Sequence, residues 1–308
     1  MDTVRIDFCD FWPGFRKDDN VFVRLLRTRY CVELHDRADF LIYSNFGHHH
    51  RLYACVRIFF TGESREPDFS ECDYAFTCRY LDDPRHLRWP LYALYYEPEM
   101  LLKDQDDPEQ TLATKTRFCS FIAGNSHHRR TRRREEFFRR LSQYKPVDAG
   151  GRVFNNLGYL VPGGPHGKIE FLRRYKFNIA FENASIPGYT TEKIFEPLAA
   201  RCLPIYWGNP LIQREFNPAS FLNYFDFDCE EALIDRIIQL DRDDALYLEY
   251  LRAPCFPANR PTEYFSRERL LAQFDKIFSA TIRPVAARRK FFQFGNWLVV
   301  KKDRWRPP

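Results

Sequence analysis

The residues best suited to chemistry lie between Tyr175 and Pro210, in the run YKFNIAFENASIPGYTTEKIFEPLAARCLPIYWGNP. An apolar strand ends in Glu182-Asn183, a loop follows, and Thr190 or Thr191 can cap a helix whose first turn carries Lys193. A helix N-terminus presents backbone N–H groups and a positive dipole end, so a lysine there is unfavourable until an anion compensates it. A second strand, Arg117–Ala123, runs into NSHHRRTRRREEFF, where Arg129, Arg130, Arg132, Arg133 and Arg134 crowd another helix start. A solvated basic face accounts for most of these arginines. Two helix starts with clustered cations at strand ends also imitate a diphosphate cradle, in which fixed positive charge meets charge growing on a leaving group. Glu63 offers a carboxylate at the end of another apolar run. Asp226-Phe227-Asp228 has the D-x-D spacing of a metal-binding pair, but a strand alternating apolar and acidic residues, exposed on one face, explains it and is preferred. On that reading the leaving-group charge falls to Arg and Lys, no residue is assigned to a metal, no cofactor is required, and a divalent cation is at most stimulatory. Neither G-x-x-x-x-G-K-[ST] nor G-x-G-x-x-G occurs, which removes the P-loop and the dinucleotide fingerprint.

These groups need rigid elements at the ends of strands. Val4–Phe8, Phe40–Tyr43, Val56–Phe60, Arg117–Ala123, Phe177–Phe181 and Leu203–Trp207 read as strands; Asn20–Arg29, Arg132–Leu141, Thr191–Ala200, Glu230–Leu240 and the stretch around Glu263–Phe278 read as helices. Strands alternating with helices predict an α/β fold with parallel sheets and ligands at the carboxyl ends of the strands. The polar, turn-rich KDQDDPEQ at 103–110 predicts a linker, giving an N-terminal domain over 1–112 and a second over 113–283. The tail, 284–308, mixes Arg288, Arg289, Lys290, Lys301, Lys302, Arg304 and Arg306 with Phe291, Phe292, Phe294, Trp297 and Leu298. Such a mixture suits an anionic membrane surface, and equally a terminal helix packing back on the first domain.

The 308 residues suit two domains of ordinary size, and 44% hydrophobic with 29% charged residues excludes a disordered chain. A formal charge of +5 permits an anionic substrate without demanding nucleic acid, and no RNP-like pattern or recognition helix is present. Nine cysteines, an odd number with no C-x-x-C pair, predict buried free thiols in a reducing compartment. His48, His49 and His50 lack carboxylate or cysteine partners in sequence and read as a solvated loop. The first residues carry no apolar signal region and no stretch approaches a membrane span, so the expected location is cytoplasmic or peripheral on the inner membrane face.

The run F-E-N-x(5)-Y-x-T-E-K, Phe181-Glu182-Asn183 through Tyr189-Thr190-Thr191-Glu192-Lys193, resembles the signature of the α-1,3/1,4-fucosyltransferases, glycosyltransferase family 10. P-I-Y-W-G-N-P at 204–210, F-N-P-x-S-F at 216–221, T-G-E-x-x-x-P-x-F at 61–69, C-D-Y-A at 72–75 and R-x-L-R-W-P-L-Y at 85–92 resemble its bacterial branch, so similar blocks run from Val4 to Phe227. The resemblance implies a GT-B fold, two Rossmann-like domains facing across a cleft, and an inverting transfer of L-fucose from GDP-β-L-fucose. The implied acceptor is a hydroxyl of a GlcNAc- or Glc-containing surface glycan, presented as an oligosaccharide or on a lipid, with 1,3 and 1,4 linkages both open. Lys193 and an arginine before Phe137-Phe138 are implied to bind the diphosphate; alignment makes it Arg134, with Arg132 and Arg133 as alternatives. Asn183, Tyr189 and Glu192 are implied to hold ribose, phosphate and fucose, and Glu63 stands at the family's candidate general-base position, which leaves Glu63 and Glu192 as the catalytic carboxylates. Phe11 and Trp12 are candidates for the acceptor side. Ala184, where the family often has Ser or Thr, and Pro197, expected to kink or shorten its helix, depart from the pattern, as does the absence of the long repeat tail of some bacterial members. A GT-B transferase using another nucleotide sugar and a non-catalytic anion-binding module remain the alternatives.

Overall fold

Short strands that are apolar throughout need cover on both faces, and parallel pairing through helical crossovers supplies it. The computed structural model, which describes residues 1–124, 132–163 and 165–288, has two such sheets, one in each of two compact units. One unit comprises Met1–Trp89 and the chain from Ser266; the other is Pro90–Phe265.

The first unit carries β1 (Thr3–Cys9), β2 (Cys31–Leu34), β3 (Phe40–Tyr43), β4 (Val56–Thr61), β5 (Tyr74–Thr77) and β6 (His86–Arg88), all parallel, in the order β2-β1-β3-β4-β5-β6. Ile6, Phe8, Ile42, Ile58 and Phe76 are fully buried in its core. The order reverses beside β1, and the rule for open parallel sheets puts a ligand crevice at such a reversal, outside the carboxyl ends of β1 and β3. The loops that leave those ends carry Phe11-Trp12 and Phe46-Gly47-His48. Contrary to the solvated loop expected at 48–50, His50 is buried: Nδ1 lies 2.7 Å from Asp10 Oδ2, Nε2 lies 3.2 Å from Glu71 Oε2, and the ring stacks on Tyr43. Asp10 adopts a left-handed conformation, φ 59, which turns its carboxylate under the loop to accept the N–H groups of His49 and His50.

The helix Arg267–Ser279 closes this unit and not the second, as the boundary at 283 had it. Its aromatic face decides the matter: Phe274 stacks on Phe76 at 4.9 Å, Phe278 meets Phe40 at 4.6 Å, and Asp275 accepts from Arg29 at 2.5 Å. Val285 follows it back, its N–H donating to Asp73 Oδ1 at 2.8 Å. The basic and aromatic tail proposed to meet a membrane lies, from residue 289, outside the described residues. Among the described residues no helix is long and apolar enough to cross a membrane.

The second unit carries β7 (Arg117–Phe121), β8 (Val147–Ala149), β9 (Tyr175–Phe181), β10 (Leu203–Trp207) and β11 (Leu222–Asn223), parallel and ordered β11-β10-β9-β7-β8. Its order reverses between β7 and β9. The boundary expected at 112 falls at Trp89–Pro90 instead, and the linker expected at 103–110 is an anchored part of this unit. Lys103 donates to the carbonyls of Leu251 and Ala253, Asp106 pairs with Arg201, and Asp107 caps the helix Pro108–Ala113. The strand expected around Asp226 stops at Asn223, whose side chain caps a 3₁₀ turn over Tyr224–Asp226; both Asp226 and Asp228 are exposed. The helix Glu192–Ala199 contains Pro197 and still ends within a residue of its expected limit.

Candidate active site

Two segments converge at the reversal between β7 and β9. β9 delivers Glu182, whose N–H donates to the Trp207 carbonyl at 2.8 Å, and the chain then loops to Thr191, the N-cap of Glu192–Ala199. Thr191 and not Thr190 is the cap: its oxygen accepts from the Lys193 N–H at 3.4 Å and its hydroxyl donates to Glu182 at 2.8 Å. Thr190 is instead buried and donates to Glu215 Oε1 at 3.0 Å.

The anion that a lysine at this position demands is partly supplied by the chain itself. Lys193 Nζ lies 3.2 Å from Glu182 Oε2 and 3.5 Å from Glu192 Oε1. Burial works against the ammonium form, but the two carboxylates outweigh it and hold Lys193 well above the usual lysine range. Burial raises the Glu182 carboxyl above its ordinary value, against the pull of Lys193. Burial also opposes ionisation of Glu192, yet Lys193 and Lys168 prevail and hold it below the usual carboxylate range.

Of the three candidate arginines, Arg132 faces outward in an ion pair with Glu136 at 2.6 Å. Arg133 lies over the rings of Trp207 and Tyr224, 5.4 and 5.1 Å from their centroids. Arg134 is buried, and its Nη1 donates to Asn183 Oδ1 at 2.8 Å; burial lowers its guanidinium pKa. Arg129 and Arg130 lie outside the described residues. Arg134, Lys193 and Glu192 line one small cavity of about 30 Å³ with Lys168 and Glu196, over Phe121 and Phe181. The structure thus brings Arg134, Asn183, Glu192 and Lys193 together, and Tyr189 sits buried on the intervening loop. Among the described residues no three His, Cys, Asp or Glu side chains are grouped to hold a metal ion.

Sequence reasoning missed the groups that fix this loop. Asn209 is fully buried; its Oδ1 accepts from Gly188 N at 2.9 Å, and its Nδ2 donates to Thr190 Oγ1 at 3.0 Å and Glu215 Oε1 at 2.8 Å. Tyr92 donates to the other Glu215 oxygen at 2.8 Å. Fully satisfied buried networks of this kind rigidify what they hold. Gly208 is a second support, because a Cβ there would overlap the Glu182 side chain and crowd the Tyr206 hydroxyl at 2.7 Å. Gly208→Ala is therefore expected to destabilise the protein by about 1–3 kcal/mol and to displace Glu182 from Lys193. Thermal melts and GDP titration of the variant check this; an unchanged melting temperature sinks it.

In the first unit, Glu63 follows β4 with its side chain exposed. Its N–H donates to Thr61 Oγ1 at 3.0 Å, and Thr61 in turn donates to Asn45 Oδ1 at 2.6 Å, so a buried hydroxyl sets the turn that presents the carboxylate. Neighbouring Glu66 is paired with Arg79. Phe11 stacks on Phe15 at 3.9 Å, and Trp12 meets the half-exposed Phe46 edge-on at 6.3 Å, which leaves an aromatic surface on the loops after β1 and β3.

Residues 6–95 match the profile of the alpha-(1,3)-fucosyltransferase FucT N-terminal domain, and residues 112–254 that of the glycosyltransferase family 10 (fucosyltransferase) C-terminal part. The alpha-(1,3)-fucosyltransferase FucT of Helicobacter pylori is 32% identical over 277 residues, 76% of this chain and 55% of that protein. The chain spans about half the length of that curated relative, and less of the putative fucosyltransferase R654 of Acanthamoeba polyphaga mimivirus, with 32% identity over 150 residues, 46% of this chain and 24% of that protein. A crystal structure of alpha1,3-fucosyltransferase with GDP superposes with a TM-score of 0.75 at 30% identity, covering 91% of this chain and 92% of that one. The crystal structure with GDP-fucose gives 0.76 at 29% identity over 92% of each. Two parallel α/β units and these superpositions establish the GT-B fold, and the chain belongs to glycosyltransferase family 10, the fucosyltransferases.

Proposed function

We propose that this chain transfers L-fucose from GDP-β-L-fucose to a hydroxyl of a GlcNAc- or Glc-containing glycan, with inversion at the anomeric carbon. The observation that carries the reading is the convergence of Arg134, itself bonded to Asn183, with Glu192 and Lys193 on one cavity where the strand order reverses, in a chain similar to an alpha1,3-fucosyltransferase crystallised with GDP and with GDP-fucose. The acceptor oxygen attacks C1 of fucose, the C1–O bond to GDP breaks, and the acceptor proton passes to Glu63. Arg134 and Lys193 meet the charge that grows on the diphosphate. Glu192 and Asn183 accept from and orient donor hydroxyls, and Tyr189 backs the phosphates. The aromatic surface at Phe11, Trp12 and Phe46 suits the apolar face of a sugar ring on the acceptor side.

Calorimetry with GDP, GDP-fucose, GDP-mannose and an oligonucleotide tests the reading. Binding of GDP and GDP-fucose, with fucosyl transfer to lactosamine or lacto-N-biose, is expected. Turnover with GDP-mannose alone would assign a different sugar, and oligonucleotide binding without a response to GDP would replace the enzyme by an anion-binding module. Because the cations of the proposed mechanism are side chains, transfer is expected to persist in EDTA. Complete loss in EDTA with recovery in manganese would give the leaving-group role to a metal.

A further inference from the structure

The donor cavity contains a cation that no motif singled out. Lys168, on the helix Pro165–Leu172, places Nζ 3.2 Å from Glu196 Oε2 and 3.9 Å from Glu192 Oε1. Glu196 is buried, and its other oxygen accepts from the Tyr96 hydroxyl at 2.6 Å, so it is fixed from the side opposite Lys168. Charges then alternate along one continuous line: Glu196, Lys168, Glu192, Lys193, Glu182. Glu192, at the middle of that line, has an ammonium on either side of it.

We propose that Lys168 is a positioning residue of the donor site, bridging Glu196 and Glu192 so that the Glu192 carboxylate stays ionised and oriented for the donor. The proposal rests on the donor-site reading above. Lys193 alone cannot perform this task, because its ammonium is shared with Glu182. A half-buried carboxylate such as Glu192 takes up a proton more readily when it loses one of two cations. The other groups facing Glu192 are Glu182 and Glu196, which oppose its ionisation, the hydroxyls of Tyr95 and Tyr96, and Arg134 across the cavity. With Lys168 gone, the carboxylates in this group outnumber the cations.

The test compares wild type with Lys168→Met, with Lys168→Met/Glu196→Gln, and with Lys168→Arg. The double variant guards against misfolding, since it removes the buried carboxylate that the single variant would strand. Two readouts are taken: titration of the Glu192 carboxyl by carbon NMR in the ligand-free protein, and the Kd of GDP between pH 5 and 8. In Lys168→Met the Glu192 midpoint is expected to move up by about one pH unit or more, and in the double variant in the same direction by less, because a carboxylate that opposes ionisation leaves with the cation. Their GDP affinity is expected to fall toward pH 5, by up to about tenfold per pH unit below that midpoint. Wild type and Lys168→Arg are expected to show a flat affinity over this range. An unmoved Glu192 midpoint overturns the proposal even if GDP binds. A loss of GDP affinity equal at every pH also overturns it and makes Lys168 a direct phosphate contact. If wild type fails to bind GDP, the donor reading falls, while the NMR titration still decides the role of Lys168.

Discussion

Glu63→Gln is expected to slow fucosyl transfer by about 10²–10⁴-fold while leaving GDP affinity nearly unchanged. Inversion in one displacement needs a base on the face opposite the leaving group, and glutamine keeps the shape of glutamate without its capacity to accept a proton. The local structure favours a clean experiment. Glu63 is exposed, its backbone is held by Thr61, and the Thr61–Asn45 contact does not involve its carboxylate, so the substitution leaves the turn intact. Single-turnover measurements with saturating donor isolate the chemical step. A wild-type rate in Glu63→Gln would move the base elsewhere; Glu66, held by Arg79, would be the next residue to replace.

The second large effect is expected at Lys193, where function and stability part company. Lys193→Ala should slow transfer by about 10²–10³-fold, since a cation facing the departing diphosphate is lost. It also leaves Glu182, fully buried, without its ammonium partner, which costs about 3–5 kcal/mol of stability while Glu182 remains charged. The sign with pH follows from the raised Glu182 carboxyl: the folded state binds this proton more tightly than the unfolded chain, so the penalty is present at neutral pH and shrinks as pH falls and Glu182 is protonated. Lys193→Ala/Glu182→Gln should recover most of the stability and none of the activity. Denaturant melts at pH 5 and 7.5 beside kinetics of all three proteins separate the two roles; wild-type kinetics in Lys193→Ala would remove the diphosphate assignment.

What was legible in the sequence follows from what each segment buries. Leu203–Trp207 is apolar throughout and bounded by Cys202 and Gly208, and its limits read correctly. The same holds within a residue or two for the strands around Ile6, Ile58 and Ile179, while the helix carrying Phe137, Phe138 and Leu141 runs three residues past its expected end, to Tyr144. β6, His86–Arg88, was missed because three residues with two charged or polar members give no alternation to detect, although Arg88 is buried. The helix Pro165–Leu172 was missed because Gly163-Gly164-Pro165-His166-Gly167 reads as a turn, and Lys168 was lost with it. Lys103–Gln110 reads as a linker because its composition is polar; its lysine and aspartates are in fact spent on helix ends and on Arg201. The motif brought out Asn183, Glu192 and Lys193. Glu182, inside the same motif, received no role, because only coordinates reveal a carboxylate enclosed beneath the helix it anchors.

The path of the chain sets an order of assembly. Pro90–Phe265 is one uninterrupted stretch, whereas the first unit is divided between Met1–Trp89 and a helix that begins only at Arg267. During synthesis the second unit can collapse and complete its sheet as soon as Phe265 has emerged. The six-stranded sheet must wait, with Phe40 and Phe76 uncovered, until Phe274 and Phe278 arrive. The last strand partner of that sheet is made long before its last covering helix, and loops closed over such a separation form slowly. The stretch Pro90–Phe265 can therefore be folded while the six-stranded sheet still awaits the helix that covers it.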